Sequence, residues 1–314
     1  MKKHLTVVLC CFCVLFVNAQ KQIVVDKGGH GDYATVQAAI DAVPENNTTP
    51  IVIEIKNGTY KERVTVAATK RFITLHGEDK NRTILTYDNH TGLVLPNGDT
   101  VNTYTSASVF VYADNFTATD ITVQNNAGFN AGQAVALDVR ADKATFVNCN
   151  IVGFQDVLFC NKPGARQYYK DCFIEGTTDF IFGPSTCIFQ NCLINSKKNS
   201  HVTAASTPQE SAYGFVFFNC TLTADNNVDK VSLGRPWRPY ASVTYINCKM
   251  DKHILPEGWN NWKNPANELT ARFAEYKSTG AGANISQRAK WSKQLTDEDE
   301  KQFTMQNIFG DWKP

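Results

Sequence analysis

The chain lacks an excess of charge of either sign. Its 314 residues hold 31 Lys and Arg against 30 Asp and Glu. Setting aside Lys2 and Lys3, which open a leader, 29 basic residues face 30 acidic ones. Such a balance gives no footing for nucleic-acid binding or for attachment to an anionic membrane surface. Beyond residue 19 no apolar run is long enough to span a bilayer. The apolar run at residues 5–17, itself too short for a comfortable span, follows Lys2 and Lys3 and leads into Val17-Asn18-Ala19. This pattern reads as a secretory signal peptide over residues 1–19, cleaved near Ala19, with an extracellular or periplasmic product. The residue before each early Cys is bulky or is itself Cys, which favours simple cleavage over a lipoprotein-type attachment. An even cysteine set is also missing: Cys10, Cys11 and Cys13 fall in the leader and seven remain. At least one thiol is therefore free or pairs between chains, and export permits a disulfide without requiring one.

The full chain is 43% hydrophobic and 19% charged, a globular composition with ample core. Residues 20–314 are expected to form a single domain, because all-β folds of this size commonly stay undivided. A short strand at 23–25 and a Gly-rich turn at 28–31 come first. Thr35 then stands as an N-cap before Val36, Ala39, Ile40 and Val43 at helical spacing, with Pro44 as the stop. A short helix there suits the end of an elongated sheet structure, covering core that would otherwise meet water. Short β-rich runs follow at 51–55, 72–75, 83–85 and 109–112.

The main signal is an internal repeat. Thr119-Asp120-Ile121, Val147-Asn148-Cys149, Lys170-Asp171-Cys172, Gln190-Asn191-Cys192, Phe218-Asn219-Cys220 and Ile246-Asn247-Cys248 align with steps of 28, 23, 20, 28 and 28 residues. A repeat of 20 to 30 residues built from short strands without helical periodicity indicates a right-handed, single-stranded parallel β-helix. The recurring small residue would stack as a ladder inside a narrow core. After Met250 the texture changes to an aromatic loop at 256–262, a short helix over 269–276, Gly-Ala turns and an acidic helical segment near 296–303. This stretch is expected to be a C-terminal tail packed on the outside of the coil.

Two copies of the repeat each carry one Asp seven residues after the Cys: Asp156 after Cys149 and Asp179 after Cys172. Aligning Gln133-Ala134-Val135-Ala136-Leu137 with Gln155-Asp156-Val157-Leu158-Phe159 and Thr178-Asp179-Phe180-Ile181-Phe182 stacks Gln133 on Gln155 and sets Asp156 beside Asp179. Adjacent strands would bring the carboxylates to roughly 5 Å. At an effective dielectric of about 20 they repel by about 3 kcal/mol, so one is protonated and one ionised. That division suits an acid and a nucleophile. Arg235, in Leu233-Gly234-Arg235-Pro236-Trp237, is the candidate cation that decides which is ionised, and the Gln133 and Gln155 amides can donate to an oxyanion. The inventory fits acyl transfer at an ester better than glycosidic hydrolysis, although two carboxylates alone fit either. Stacked Asp residues also suit a solvated or ion-binding edge. Of Trp237, Trp259, Trp262, Tyr104 and Phe180, at least two are expected to be ordinary packing.

Four motifs in order, Gln133-Ala134-Val135-Ala136-Leu137, Gln155-Asp156-Val157-Leu158, Gly176-Thr177-Thr178-Asp179-Phe180-Ile181-Phe182-Gly183 and Leu233-Gly234-Arg235-Pro236-Trp237, closely resemble the pectinesterase (pectin methylesterase) family of carbohydrate esterases. The resemblance runs from about Ile23 to Trp312. It implies a right-handed parallel β-helix that removes methyl groups from the C6 esters of homogalacturonan. It makes Asp179 the nucleophile, Asp156 the acid and then base, and Gln155 the oxyanion stabiliser. Gln133 becomes a second amide contact, Arg235 the group that holds Asp179 ionised, Trp237 a wall of the sugar groove and Thr103 a further substrate contact. No metal or organic cofactor is implied, and a monomer is expected. Val157 and Thr178 depart from the family pattern, which commonly has Thr after the acid and Val before the nucleophile. Cys172 and Cys192 match the position of a disulfide in bacterial relatives, while a reduced ladder fits equally well.

The alternatives are a β-helix pectin or polygalacturonate lyase or hydrolase, and a non-catalytic β-helical carbohydrate-binding protein. Galacturonan hydrolases carry Asn-Thr-Asp and Asp-Asp pairs, and the chain has neither.

Overall fold

The computed structural model describes residues 21–314, so the expected leader lies outside the described residues. The chain winds through three sheets of 11, 8 and 7 strands, and every strand pairing within them is parallel. One coil shows the order: Ala144–Val147 in the 11-stranded sheet, Asn150–Val152 in the 8-stranded sheet, Leu158–Cys160 in the 7-stranded sheet, then Arg166–Lys170 back in the first. Each strand pairs with its counterparts one coil before and after, and the result is a right-handed parallel β-helix, the hand that parallel crossovers favour.

The repeat read from the sequence is the register of the 11-stranded sheet. Thr119, Val147, Lys170, Gln190, Phe218 and Ile246 are successive partners. The residue after each one turns the chain into the next sheet with a left-handed backbone: Asp120, Asn148, Asp171, Asn191, Asn219 and Asn247 all have φ between 52° and 57°. Only Gly enters this region freely, and Asn and Asp tolerate it best among the rest. That is the physical reason for the recurring Asn or Asp. The Cys that follows points inward, and its thiol donates to backbone carbonyls, as when Cys149 Sγ reaches the oxygens of Ala118 and Val147 at 3.4 Å. All seven cysteines of the described residues are free and buried, Cys172 and Cys192 included. The ladder is therefore the reduced one.

A second ladder runs beside the thiols. Phe146, Tyr169, Phe189, Phe217 and Tyr245, each three residues before its Cys, stack with ring centroids 4.4–5.0 Å apart and planes within 11°. Offset aromatic pairs of this kind each contribute about 1 kcal/mol beyond their buried area.

Both ends are closed. The helix Val36–Asp41 starts at Thr35, whose Oγ1 accepts from the Ala38 amide, and it buries Val36, Ala39 and Ile40 over the first coils. At the other end the expected helix over 269–276 is not formed. Arg272–Tyr276 is a strand that pairs with Ser242–Ile246 and adds one more turn to the coil. Its Phe273 stacks on Trp259 inside the core while Tyr276 packs outside, an alternation that a helix could not give. The tail does lie on the outer surface. Ile308 and Phe309, in the helix Met305–Phe309, bury against Tyr168, Ile188, Val216, Ile246 and Tyr276, and Arg166 Nη1 donates to the Phe309 carbonyl at 2.8 Å.

Asn219 tests the corner rule, because it is exposed and lies at φ 53°. Asn219→Val should lower stability by about 1–2 kcal/mol, whereas Asn219→Gly should stay within about 0.5 kcal/mol of the parent. Urea unfolding midpoints of the two variants provide the check.

Candidate active site

The candidate carboxylates sit at the corner between the 8-stranded and 7-stranded sheets. Gln133, Gln155 and Thr178 pair across three successive coils. Leu158 pairs with Ile181, which places Asp156 and Asp179 at one position of adjacent coils. Both have left-handed backbones, φ 61° and φ 50°. The Asp156 amide donates to the Thr178 carbonyl at 3.0 Å and the Asp179 amide to the His201 carbonyl at 2.8 Å. The first of the three aligned motifs needs a correction. Gln133 faces Gln155, but Leu137 faces Leu158 rather than Phe159, because the amides of Ala136 and Leu137 both donate to the Val157 carbonyl. One extra residue is absorbed there as a bulge.

Arg235 reaches this corner from two coils further on. Phe182, Ala204 and Arg235 are successive strand partners. The small Ala204 leaves room for the guanidinium to turn back over it. Arg235 Nε donates to Asp179 Oδ1 at 3.0 Å and Nη2 to Oδ2 at 2.6 Å, a bidentate pair. Glycine is obligatory beside it: a Cβ on Gly234 would lie 2.0 Å from Thr203 Oγ1. Gly176 is constrained in the same way, since a Cβ there would meet Phe180 Cβ at 2.3 Å and the Phe154 carbonyl oxygen at 2.6 Å.

The two carboxylates are electrostatically unlike. Asp179 is only 5% exposed. Burial raises its pKa above the ordinary aspartate value, and the hydrogen bonds and charge of Arg235 offset only part of that rise. Asp156 is pushed well above that range, first by burial and then by the Asp179 charge, against a smaller opposing pull from Arg235 and Gln155. Asp156 lacks an ion-pair partner among the described residues, whereas Asp179 has one in Arg235. At a pH between the two, Asp156 keeps its proton and Asp179 is ionised.

All seven residues singled out from the sequence, Asp179, Asp156, Gln155, Gln133, Arg235, Trp237 and Thr103, line one cleft of about 260 Å³. Tyr104, Phe182, Ala204 and Trp262 complete its lining. Phe182 stacks on Phe159 at 4.2 Å and meets Trp237 at 5.9 Å, forming an aromatic floor. Of the five aromatics left open by the sequence, Trp259 and Phe180 are buried packing, and Trp237, Trp262 and Tyr104 border the cleft. Phe182 and Ala204 were reachable through the strand alternation that carries Arg235 to the outer face, while His201 carried no sequence signal. It lies on the coil after Asp179, with Nδ1 against Ser232 Oγ at 2.6 Å and its pKa lowered to about 4 by burial and by Arg235. The two departures from the family pattern involve neither carboxylate of the pair. Val157 is buried in the core, and Thr178 donates to Ser200 Oγ at 2.8 Å. Among the described residues, no group of three or more His, Cys, Asp or Glu is placed to hold a metal ion.

The Pectinesterase family model matches residues 22–311. Pectinesterase 31 of Arabidopsis thaliana is 39% identical over 289 residues, covering 90% of each chain. The fold superimposes on pectin methylesterase from carrot with a TM-score of 0.85 and 35% identity, over 91% of this chain and 92% of that one. It also superimposes on a pectin methylesterase solved in complex with a hexasaccharide, with a TM-score of 0.83 and 30% identity, over 94% and 99% of the two chains. With the family model spanning nearly all of the described coil, the chain belongs to the pectinesterase family.

Proposed function

We propose that this cleft hydrolyses the C6 methyl esters of homogalacturonan, with Asp179 as nucleophile and Asp156 as acid and then base. The observation that carries the reading is the asymmetry of the pair: Arg235 bonds both oxygens of Asp179, and Asp156, one coil away, has no such partner. An ionised Asp179 oxygen attacks the ester carbonyl, and the carbonyl electrons move onto oxygen. The side-chain amides of Gln155 and Gln133 lie beside the pair in the same cleft and would donate to that oxyanion. On collapse the bond to the methoxy oxygen breaks, Asp156 delivers its proton, and methanol leaves an acyl-Asp179 anhydride. Asp156, now a carboxylate, takes a proton from water as the hydroxide attacks the acyl carbon. The bond between the acyl carbon and Asp179 breaks, Asp179 leaves as its carboxylate, and the galacturonic acid carboxyl gives its proton to solvent.

The aromatic floor fits sugar faces, with Trp237, Phe182 and Thr103 lining the same cleft as the pair. A relative of the same fold was solved in complex with a hexasaccharide, which supports an oligosaccharide occupant for this cleft. Because pectin lies outside the cell, the reading also accounts for the leader over residues 1–19. We take residues 20–314 to act as one unit and as a monomer.

Three outcomes are expected. On methylated pectin the protein should release methanol while chain length stays constant; unsaturated products or new reducing ends would sink the reading. Asp179→Ala should abolish methanol release and retain oligogalacturonide binding, and Asp156→Asn should lower kcat by roughly 10²–10⁴-fold. Asp156 also ties stability to pH. Its native pKa lies above the unfolded value, so as pH rises through that interval the unfolded chain gives up a proton that the native one keeps, and stability falls. Asp156→Asn should therefore match the parent in urea below about pH 4 and be increasingly the more stable of the two toward pH 8.

A further inference from the structure

Trp262 has a backbone that a simple wall of the cleft does not need. Its φ is 62° and that of Lys263 is 55°, two consecutive left-handed residues without glycine. A bulky side chain in that region is disfavoured and is sustained only where the surroundings over-determine it. They do so here. The Trp262 amide donates to Asn260 Oδ1 at 2.8 Å, and Asn267 Nδ2 donates to the Asn261 carbonyl at 3.0 Å. The loop is also tied to the strand that carries Arg235: the Asn260 amide donates to the Gly234 carbonyl at 3.1 Å and the Leu233 amide to the Gly258 carbonyl at 2.7 Å. Beneath it, buried Trp259 donates through Nε1 to Glu275, itself in a buried ion pair with Arg288. The outcome of this bracing is a contact: the Arg235 guanidinium carbon lies 3.7 Å from the centre of the Trp262 ring.

Arg235 is thus held on two sides, by Asp179 along its edge and by Trp262 on its face. We propose that Trp262 is a positioning residue for the nucleophile, fixing the plane of the Arg235 guanidinium so that both bonds to Asp179 persist while the ester reacts. This rests on the roles assigned above to Asp179 and Arg235. The titratable and charged groups around Asp179 are Asp156 on the preceding coil, His201 on the next, and Arg235. The Trp262 loop adds exposed Lys263, and Glu268, which accepts from Asn261 Nδ2 at 2.7 Å. Asp179 is the one side chain hydrogen-bonded to the Arg235 guanidinium among the described residues. A guanidinium free to swing would leave Asp179 with weaker opposition to its burial, and its pKa would rise.

The test is the pH profile of methanol release from methylated oligogalacturonides by Trp262→Leu, which keeps bulk and loses the ring face, and Trp262→Phe, which keeps a face. Thermal unfolding of each variant establishes that it folds, and Trp262→Met replaces the Leu variant if it does not. In the Leu variant the acid limb of kcat/KM should move up by about one pH unit, with kcat falling more than KM rises, and the Phe variant should lie near the parent. An unmoved acid limb with the loss confined to KM would reduce Trp262 to a sugar wall and overturn the inference. Asp179→Asn, assayed alongside, separates the two claims. Methanol release retained by that variant would overturn the proposed nucleophile and this inference with it. Its loss, together with an unmoved limb in Trp262→Leu, would overturn the inference alone.

Discussion

The spacing between parallel strands, about 4.8 Å, is the constraint from which both core and cleft follow. Any residue type repeated at one position of the coil is pressed against its own kind. Inside, this is favourable: rings stack on rings at 4.4–5.0 Å and thiols donate to neighbouring carbonyls. On the cleft side the same spacing sets one carboxylate on another, where two charges oppose each other by about 3 kcal/mol at an effective dielectric near 20. Regular stacking cannot relieve that repulsion, because it would treat both members alike. The relief comes from Arg235, which approaches from two coils away and bonds to only one of them.

That approach depends on small residues in between. Ala204 stands between Phe182 and Arg235 in the strand order, and a larger side chain would occupy the path of the guanidinium. Gly234 lets the Arg235 strand lie against Thr203. Asp156 and Asp179 therefore owe their difference in part to Ala204 and Gly234, whose value is the space they leave.

Much of this arrangement was legible in the sequence because a solenoid converts spacing along the chain into proximity in space. The Asn/Asp-Cys register named the partners in the longest sheet, and extending it to Asp156 and Asp179 brought the cleft together. The failures have physical causes. The bulge at Ala136 and Leu137 shifts pairing by one residue without changing composition, so ungapped alignment missed it. Residues 272–276 contain helix-compatible types, and only the neighbouring edge strand Ser242–Ile246 decides that they extend the sheet. The ring ladder, three residues before each Cys, is equally periodic, but it mixes Phe and Tyr and so repeats no single residue type. Trp262 stood among the aromatics left open, but nothing in Asn260-Asn261-Trp262-Lys263 marks a left-handed backbone.

Asp156 and Asp179 share that left-handed backbone with Trp262, but for the opposite reason. The corners of this coil already employ Asp and Asn at φ near 55°, because short polar side chains tolerate the conformation. A carboxylate at such a corner has a suitable backbone before it has any chemical role. A catalytic pair therefore needs only two neighbouring corners with Asp and one cation within reach. Trp262 has no such compatibility, and its conformation persists through the hydrogen bonds that brace its loop. Phe72 and Tyr240 are bulky and left-handed as well, at φ 58° and 66°. What sets Trp262 apart from them is that its ring lies on the face of Arg235, the cation that makes Asp179 unlike Asp156.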